Sequence, residues 1–599
     1  MLRPTAIVLG LLAAPVAAQS GAVTLILGAK DNAPSTWNGS ATISAGEIVR
    51  IKGYHFTAKD RIDGAAWQCA THPWPTNQGG MHPNEQPQPH QTMVVPIGVT
   101  IEYRAPTDAS IRVRLESREE FSFRPSDIPE NGALFPLRGM IEVWRTPVVE
   151  RLSGAEAQDD QPAIAVDGDT VWVSWMAYRD KADEVMLRAR RAGQWQTPAA
   201  VSDKAGDYFG TAVAASGGKV MVVWSDHEGE TWQLRYRIHD GSRLGPVGSI
   251  TSGQSKNLFH RIAAGPGGSF HVVYQSWRGS RSDIYLRSHS NGSWGPELNL
   301  SDPARPARAN DWSPAVAVDS GGTVWVAWDG YARGSYNIYL RPVRRGAAGE
   351  LVPVTDSERF HAHPSLAVDS QDRIWVAWDE APENWGKDLG FLLTGGSGLY
   401  HARDIRVAVY SAGQWMEPVR QPGSVVPWGY KRYFHTPRLA ADTQGRIWLF
   451  ARPRTEATIP HSVWAAGGKW EVTASHYSGE GWSELLVIPD SVAGNEGELQ
   501  VAPDGDGGVL LAALTDSRLW GGPNFGEKPG DHDIIFSRVT ASPAFRPMLA
   551  SRRPEAPTIR RAEVNEAEQI ARLRSYELSH GGKSHRIFRG DLHRHTDIS

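Results

Sequence analysis

Asp591, His593 and His595 carry the densest chemistry in the chain, within Gly590-Asp591-Leu592-His593-Arg594-His595-Thr596. Residues two apart on a strand point to one face, so this spacing presents two imidazoles side by side with a carboxylate next to them. Such groups ligate zinc, manganese or iron. The His-x-His spacing is weak by itself, because 20 His among 599 residues produce it by chance and His361-Ala362-His363 repeats it. Context strengthens it: His585-Arg586-Ile587-Phe588-Arg589 is short, alternating and strand-like, and feeds the motif directly.

This run resembles the first motif of the PHP (polymerase and histidinol phosphatase) family of metal-dependent phosphoesterases. The resemblance implies that His593 and His595 hold a divalent metal (Zn, Mn or Fe) at the rim of a distorted β/α barrel; Asp591, on the same strand face, is a further candidate ligand. It covers residues 584–599 only, and a barrel needs on the order of 200 further residues. The expectation is therefore the N-terminal part of an exported metal-dependent hydrolase, a phosphoesterase. The metal would bind only together with the missing domain, and this chain alone would be inactive.

The elements ahead of the motif would have to position it. Met1-Leu2-Arg3, an apolar run to Ala14 and the small residues Val16-Ala17-Ala18 have the form of a secretory signal peptide, placing the mature protein in the periplasm or outside the cell. No other stretch is long and apolar enough for a membrane span. A net charge of -4 with interspersed signs argues against a nucleic-acid partner. Cys69 is the only cysteine, which excludes an internal disulfide.

A unit of about 50 residues recurs through the middle of the chain. Its first strand and turn read Pro162-Ala163-Ile164-Ala165-Val166-Asp167, Pro314-Ala315-Val316-Ala317-Val318-Asp319 and Pro364-Ser365-Leu366-Ala367-Val368-Asp369. The second strand ends on an aromatic at Trp175, Trp224, Tyr274, Trp328 and Trp378, in steps of 49, 50, 54 and 50 residues. A third strand, a Gly-x-Trp turn and a fourth strand follow. Four antiparallel strands per unit predict a β-propeller, here of seven blades. The turn Asp is read as a hairpin starter rather than a calcium ligand. The Gly-x-Trp turns resemble the Asp-box of sialidase-like propellers without its Ser-x-Asp-x-Gly core, and their Trp is expected to pack between blades. Val148 to Leu152 resembles a fourth strand and should close the ring beside Asp533 to Arg538.

The predicted fold is thus all-β: a signal peptide (1–18), a β-sandwich (19–146), a seven-bladed propeller (147–549), a linker and helix (550–582), and the first strand of a truncated β/α metallohydrolase domain (583–599). The helix is expected over Glu563 to Leu578, stopped by Gly581-Gly582. In the sandwich, Cys69, His72, His82 and His90 could form a metal site, although a loop stiffened by Pro75, Pro83, Pro87 and Pro89 accounts for them better.

Each propeller unit enters its first strand through an aromatic next to His or Asp, giving His260, Asp311, His361, His363 and His435 as ligand-binding candidates at one end of the channel. A small molecule or glycan, an anion or a metal would suit them; exposed loop residues or hydrogen-bonded blade caps explain them better. The alternatives to the phosphoesterase are a non-catalytic propeller that binds a glycan or protein, and a propeller glycosidase, for which no arginine triad with Tyr and acid can be assigned.

Overall fold

The computed structural model describes residues 18–28, 35–57, 59–73, 94–95, 97–117, 119–128, 135–137, 141–154, 157–301, 310–332, 335–383, 403–425, 434–456, 469–494, 497–518, 532–541, 546–552, 572 and 575–586. The described elements are almost all β-strands, as expected for an all-β chain. The chain divides between Val148 and Val149 into two compact units.

In the first unit, two five-stranded antiparallel sheets enclose one core. Alternation decides which side chains enter it: Val23, Leu25 and Leu27 of Gln19–Leu27 point inward, as do Ile111, Val113 and Leu115 of Ile111–Leu115, while Arg112 and Arg114 stay exposed. Cys69 lies in this core, 4% exposed, with its thiol pushed up to about 12 by burial and then by the charge of Asp60. A thiol held protonated is a packing residue, not a thiolate ligand. His82 and His90 lie outside the described residues.

The second unit is a propeller-like cycle of antiparallel meanders. Its innermost strands are Gln158–Asp167, Tyr208–Ser216, Lys256–Gly265, Asn310–Val318, Phe360–Val368, Phe434–Ala441 and Leu499–Pro503, each packing on the next and the last on the first. Second strands are buried along nearly their whole length because sheets cover both their faces, which is why they read as continuous apolar runs. Cores form between neighbouring units: Ala163, Trp172 and Val185 of one pack with Val213, Val222 and Trp224 of the next. Val149–Arg151 pairs antiparallel with Asp533–Thr540, so the expected closing strand is in place, and Leu549–Ser551 pairs with Gln414–Pro418.

Repeated polar devices hold the cycle. Turn Asp side chains accept backbone N–H bonds and an indole bond: Asp442 Oδ1 accepts from Gln444 N (2.9 Å) and Arg446 N (3.0 Å), and its Oδ2 from Trp448 Nε1 (2.7 Å). Asp319 and Asp369 do the same for Trp325 and Trp375. These aspartates are turn formers, as their sequence context suggested. A third-strand Arg joins successive units: Arg341 donates to Leu300 O (2.7 Å) in the preceding unit and to Gly349 O (2.8 Å) in its own. Arg188, Arg237 and Arg287 repeat that pair of bonds.

The C-terminal expectation is corrected. Arg572 and Ser575 are helical, but Glu577–His580 pairs with Lys583–Arg586 across Gly581-Gly582. Both glycines have positive φ (59° and 74°), so the pair forms a two-residue hairpin turn instead of a helix stop. Asp591, His593 and His595 lie outside the described residues.

Candidate functional site

A cavity of about 840 Å³ lies between the innermost strands of the second unit. Its lining is set by a device that recurs in six of those strands, a β-bulge at their entry. Gln161-Pro162 together oppose Trp175, Phe259-His260 oppose Tyr274, Ser313-Pro314 oppose Trp328, and His363-Pro364 oppose Trp378. Thr436-Pro437 oppose Ala451, and Gly210 is the extra residue opposite Ser225 and Trp224. The aromatic that marks the repeat in sequence is thus, in four units, the residue facing the bulge. Proline suits the second bulge position because the residue there has left the ladder and its missing N–H costs nothing.

The first bulge residue is left-handed in each case: φ is 49° at Gln161, 51° at Phe259, 49° at Ser313, 52° at His363, 55° at Thr436 and 69° at Gly210. All six line the cavity. A left-handed non-glycine residue costs roughly 1–3 kcal/mol, and such strain concentrates at functional sites. Asp329 accepts from the bulge nitrogen of His363 (3.2 Å), and Asp379 accepts from that of Thr436 (3.0 Å). Each Trp-Asp pair at the end of a second strand therefore anchors the bulge of the following unit.

His363 is the partly exposed imidazole of the lining. Its ring is 41% exposed, to the cavity, and Nδ1 lies 2.8 Å from Oδ2 of the fully buried Asp379. A carboxylate there assigns the proton to Nδ1 and leaves Nε2 as the acceptor in the neutral ring. Arg403 donates to the same carboxylate oxygen and approaches Nδ1 at 3.2 Å. Burial works against the imidazolium, but the charge and hydrogen bond of Asp379 outweigh it and raise His363 above the usual histidine value. Burial would also raise Asp379, yet Arg403 and His363 hold it below the usual carboxylate range.

The other cavity imidazoles are neutral. His260 is 1% exposed, with Nε2 donating to Val223 O (3.0 Å), and burial, then Arg261, push it down to about 3. His435 packs edge-on against Trp470 and is held well below the usual value by burial and then by Arg403. His361 and Asp311 do not line the cavity. His361 is fully buried in its own sheet, accepting from Trp378 Nε1 (3.0 Å) and bonded to Ser357 Oγ (2.9 Å). Asp311 is 1% exposed, and its carbonyl accepts from Ser282 Oγ (2.8 Å). The bulge explains the split: His361 and His363 would share a face on a regular strand, and the left-handed turn at His363 swings it away.

Aromatic faces make up much of the remaining wall. Phe209 packs edge-on to Phe259 (5.1 Å between centroids), while Tyr336 lies 5.5 Å from Trp312 and 5.0 Å from Phe360. Residues that sequence reasoning passed over complete it: Arg261, Arg403, Arg438, Asp329, Tyr336 and Glu498. Two signals were available. The Trp-Asp dipeptide recurs at Trp328-Asp329 and Trp378-Asp379, and Arg261 and Arg438 replace the small residue that follows the bulge at Ala163, Thr211, Ala315 and Ser365. Among the described residues, no group of three His, Cys, Asp or Glu side chains is placed to hold a metal ion.

No family model matches the chain, and no curated protein matches it. Solved structures do. An ulvan lyase of polysaccharide lyase family PL25, bound to a GlcA–Rha3S saccharide, is 11% identical with a TM-score of 0.43, over 66% of this chain and 96% of its own. The Hadza microbial sialidase Hz136 is 11% identical with a TM-score of 0.37, over 88% of this chain and 94% of its own. A Penicillium chrysogenum α-L-arabinanase complexed with arabinobiose is 12% identical with a TM-score of 0.32, over 52% of this chain and 93% of its own. The PHP expectation is overturned: the described residues are almost all β-strand and contain no helical α/β layer.

Proposed function

We propose that the chain is an exported protein, led by a signal peptide at 1–18, whose first unit is a β-sandwich and whose second is a seven-bladed β-propeller with a carbohydrate site in its central cavity. One observation carries the reading: a cavity of saccharide size whose walls alternate aromatic faces (Phe209, Phe259, Trp312, Tyr336, Phe360) with hydrogen-bonding and charged groups delivered by strained bulges. Sugar rings present an apolar C–H face and a polar rim, and such a wall complements both. The test is calorimetric titration of the full chain with oligosaccharides drawn from neutral arabinan and from polygalacturonate. Binding at one site, weakened at least about tenfold by Trp312→Ala through loss of aromatic stacking, supports the reading. Failure of every saccharide in that panel to bind counts against it.

A second reading, that the cavity also transforms its ligand, rests on the His363–Asp379 pair, an imidazole with one nitrogen held by a carboxylate and the other toward the cavity. Release of new chain ends by the native chain and its loss in His363→Ala, with binding retained, would support catalysis.

A further inference from the structure

Arg261 and Arg438 occupy the position directly after the bulge, where Ala163, Ala315 and Ser365 in other units carry side chains too short to fill the channel. Both line the same cavity, and the charge of Arg438 bears on Arg261. Arg261 is brought down to about 10 by burial first and by Arg438 second, with Glu498 opposing. Arg438 spends three of its five N–H donors on the protein: Nε donates to Leu499 O (3.1 Å), Nη1 to Pro437 O (3.0 Å) and Nη2 to Glu498 Oε2 (3.2 Å). Arg261 uses Nη1 for His260 O (3.0 Å). A like-charge pair in a mostly buried wall, opposed by one carboxylate that Arg438 already holds, has an unbalanced positive charge.

The register position does not call for a guanidinium, since Ala, Thr or Ser fills it in four other units. Guanidiniums held in place by bonds to the scaffold, as Arg438 is by Leu499 O and Glu498, and lining a cavity are what recognition of an oxyanion needs. We infer that Arg261 and Arg438 form a subsite for an anionic substituent on the bound saccharide, a uronate carboxylate or a sulfate ester. The ligand class is then an acidic polysaccharide rather than a neutral one. This inference rests on the carbohydrate reading of the cavity and narrows it.

The experiment compares affinities of the full chain for matched probes: oligogalacturonate, its methyl-esterified form, a sulfated galactan and a neutral galactan. The subsite predicts at least about tenfold preference for one acidic probe over its uncharged match, weakening as salt is raised. Carboxylate and sulfate are told apart by which acidic probe is preferred. Arg261→Gln and Arg438→Gln should each reduce that preference about 10- to 100-fold while neutral binding changes little. Equal affinity for acidic and neutral probes, or a preference that survives both substitutions, overturns the subsite and leaves the carbohydrate reading standing. Absence of binding by all four probes overturns both. Arg261→Lys keeps the charge and checks the fold: it should retain part of the acidic preference.

Discussion

Arg261→Met should make the protein more stable, against the usual outcome of changing a mostly buried side chain. The change keeps an unbranched stem of similar length, so the packing of the Arg methylenes is largely preserved. It removes a charge whose burial and like-charge neighbour bring its pKa down from the ordinary arginine value to about 10. At about 1.4 kcal/mol per unit, that depression corresponds to roughly 3 kcal/mol by which the folded state disfavours the charged form. Below about pH 10 the cost is present in full, because the side chain is protonated in both folded and unfolded states. Against it stands the lost bond from Nη1 to His260 O, on the order of 1.5 kcal/mol for a charged donor. The balance is a gain of roughly 1–2 kcal/mol. Urea unfolding at neutral pH measures it as a higher midpoint at unchanged slope. The parent should also gain stability from an acidic oligosaccharide, by RT ln(1 + [L]/Kd), and the Met variant should gain less at the same ligand concentration. A Met variant less stable than the parent by more than about 1 kcal/mol would refute the reasoning, since the guanidinium would then be a structural tie.

Two further outcomes follow from the repeated devices and the buried carboxyls. Arg341→Met removes bonds to carbonyls of two successive units, Leu300 O and Gly349 O, and should cost roughly 2–4 kcal/mol in chemical denaturation, with partial unfolding of the adjacent units as a lower-denaturant phase. Asp160 is pushed up to about 7, by burial first and by Asp183, Asp159 and Glu498 after it. A carboxyl raised above its unfolded value of about 3.9 binds more protons in the folded state, so its contribution falls as pH rises through that window. Asp160→Asn should therefore become progressively more stable than the parent from about pH 5 to about pH 8, with a widening gap of roughly 2–4 kcal/mol. The depressed histidines, His260 among them, titrate alike in both proteins and cancel in the difference. A gap that does not change with pH would show that Asp160 stays ionised throughout.

The repeat was legible because periodic burial imposes it. Second strands such as Val324–Ala332 are covered on both faces, and their apolar runs and terminal Trp could be counted directly. The closing pairing of Val149–Arg151 was legible for the same reason, since that segment carries the fourth-strand pattern away from its unit. The C-terminal reading failed on a local ambiguity: Gly581-Gly582 serves a helix end or a hairpin equally well, and the segments flanking the pair are too short for their periodicity to decide. The PHP resemblance then rested on a short His-x-His motif alone.

The cavity was harder to read because its lining lies in departures from the repeat. Alternation predicts that His361 and His363 share a face, and a single left-handed residue separates them, sending one into the sheet and the other into the channel. Proline at the second bulge position in four units is the trace such a device leaves in sequence, marking a residue withdrawn from the ladder. Once the bulge is located, the next residue can be compared across units, and its normal occupant is Ala, Ser or Thr. Arg at that position in two units then stands out as a substitution that packing does not require. The same logic separates Asp379 from the turn aspartates. Asp442 is satisfied by local backbone and indole donors, whereas Asp379 is shared between His363, Arg403 and the bulge of the next unit. A residue type conveys little inside a repeat; its register, and whether its partners lie in the same unit, tells a scaffold carboxylate from one that can hold a proton-transfer group in place.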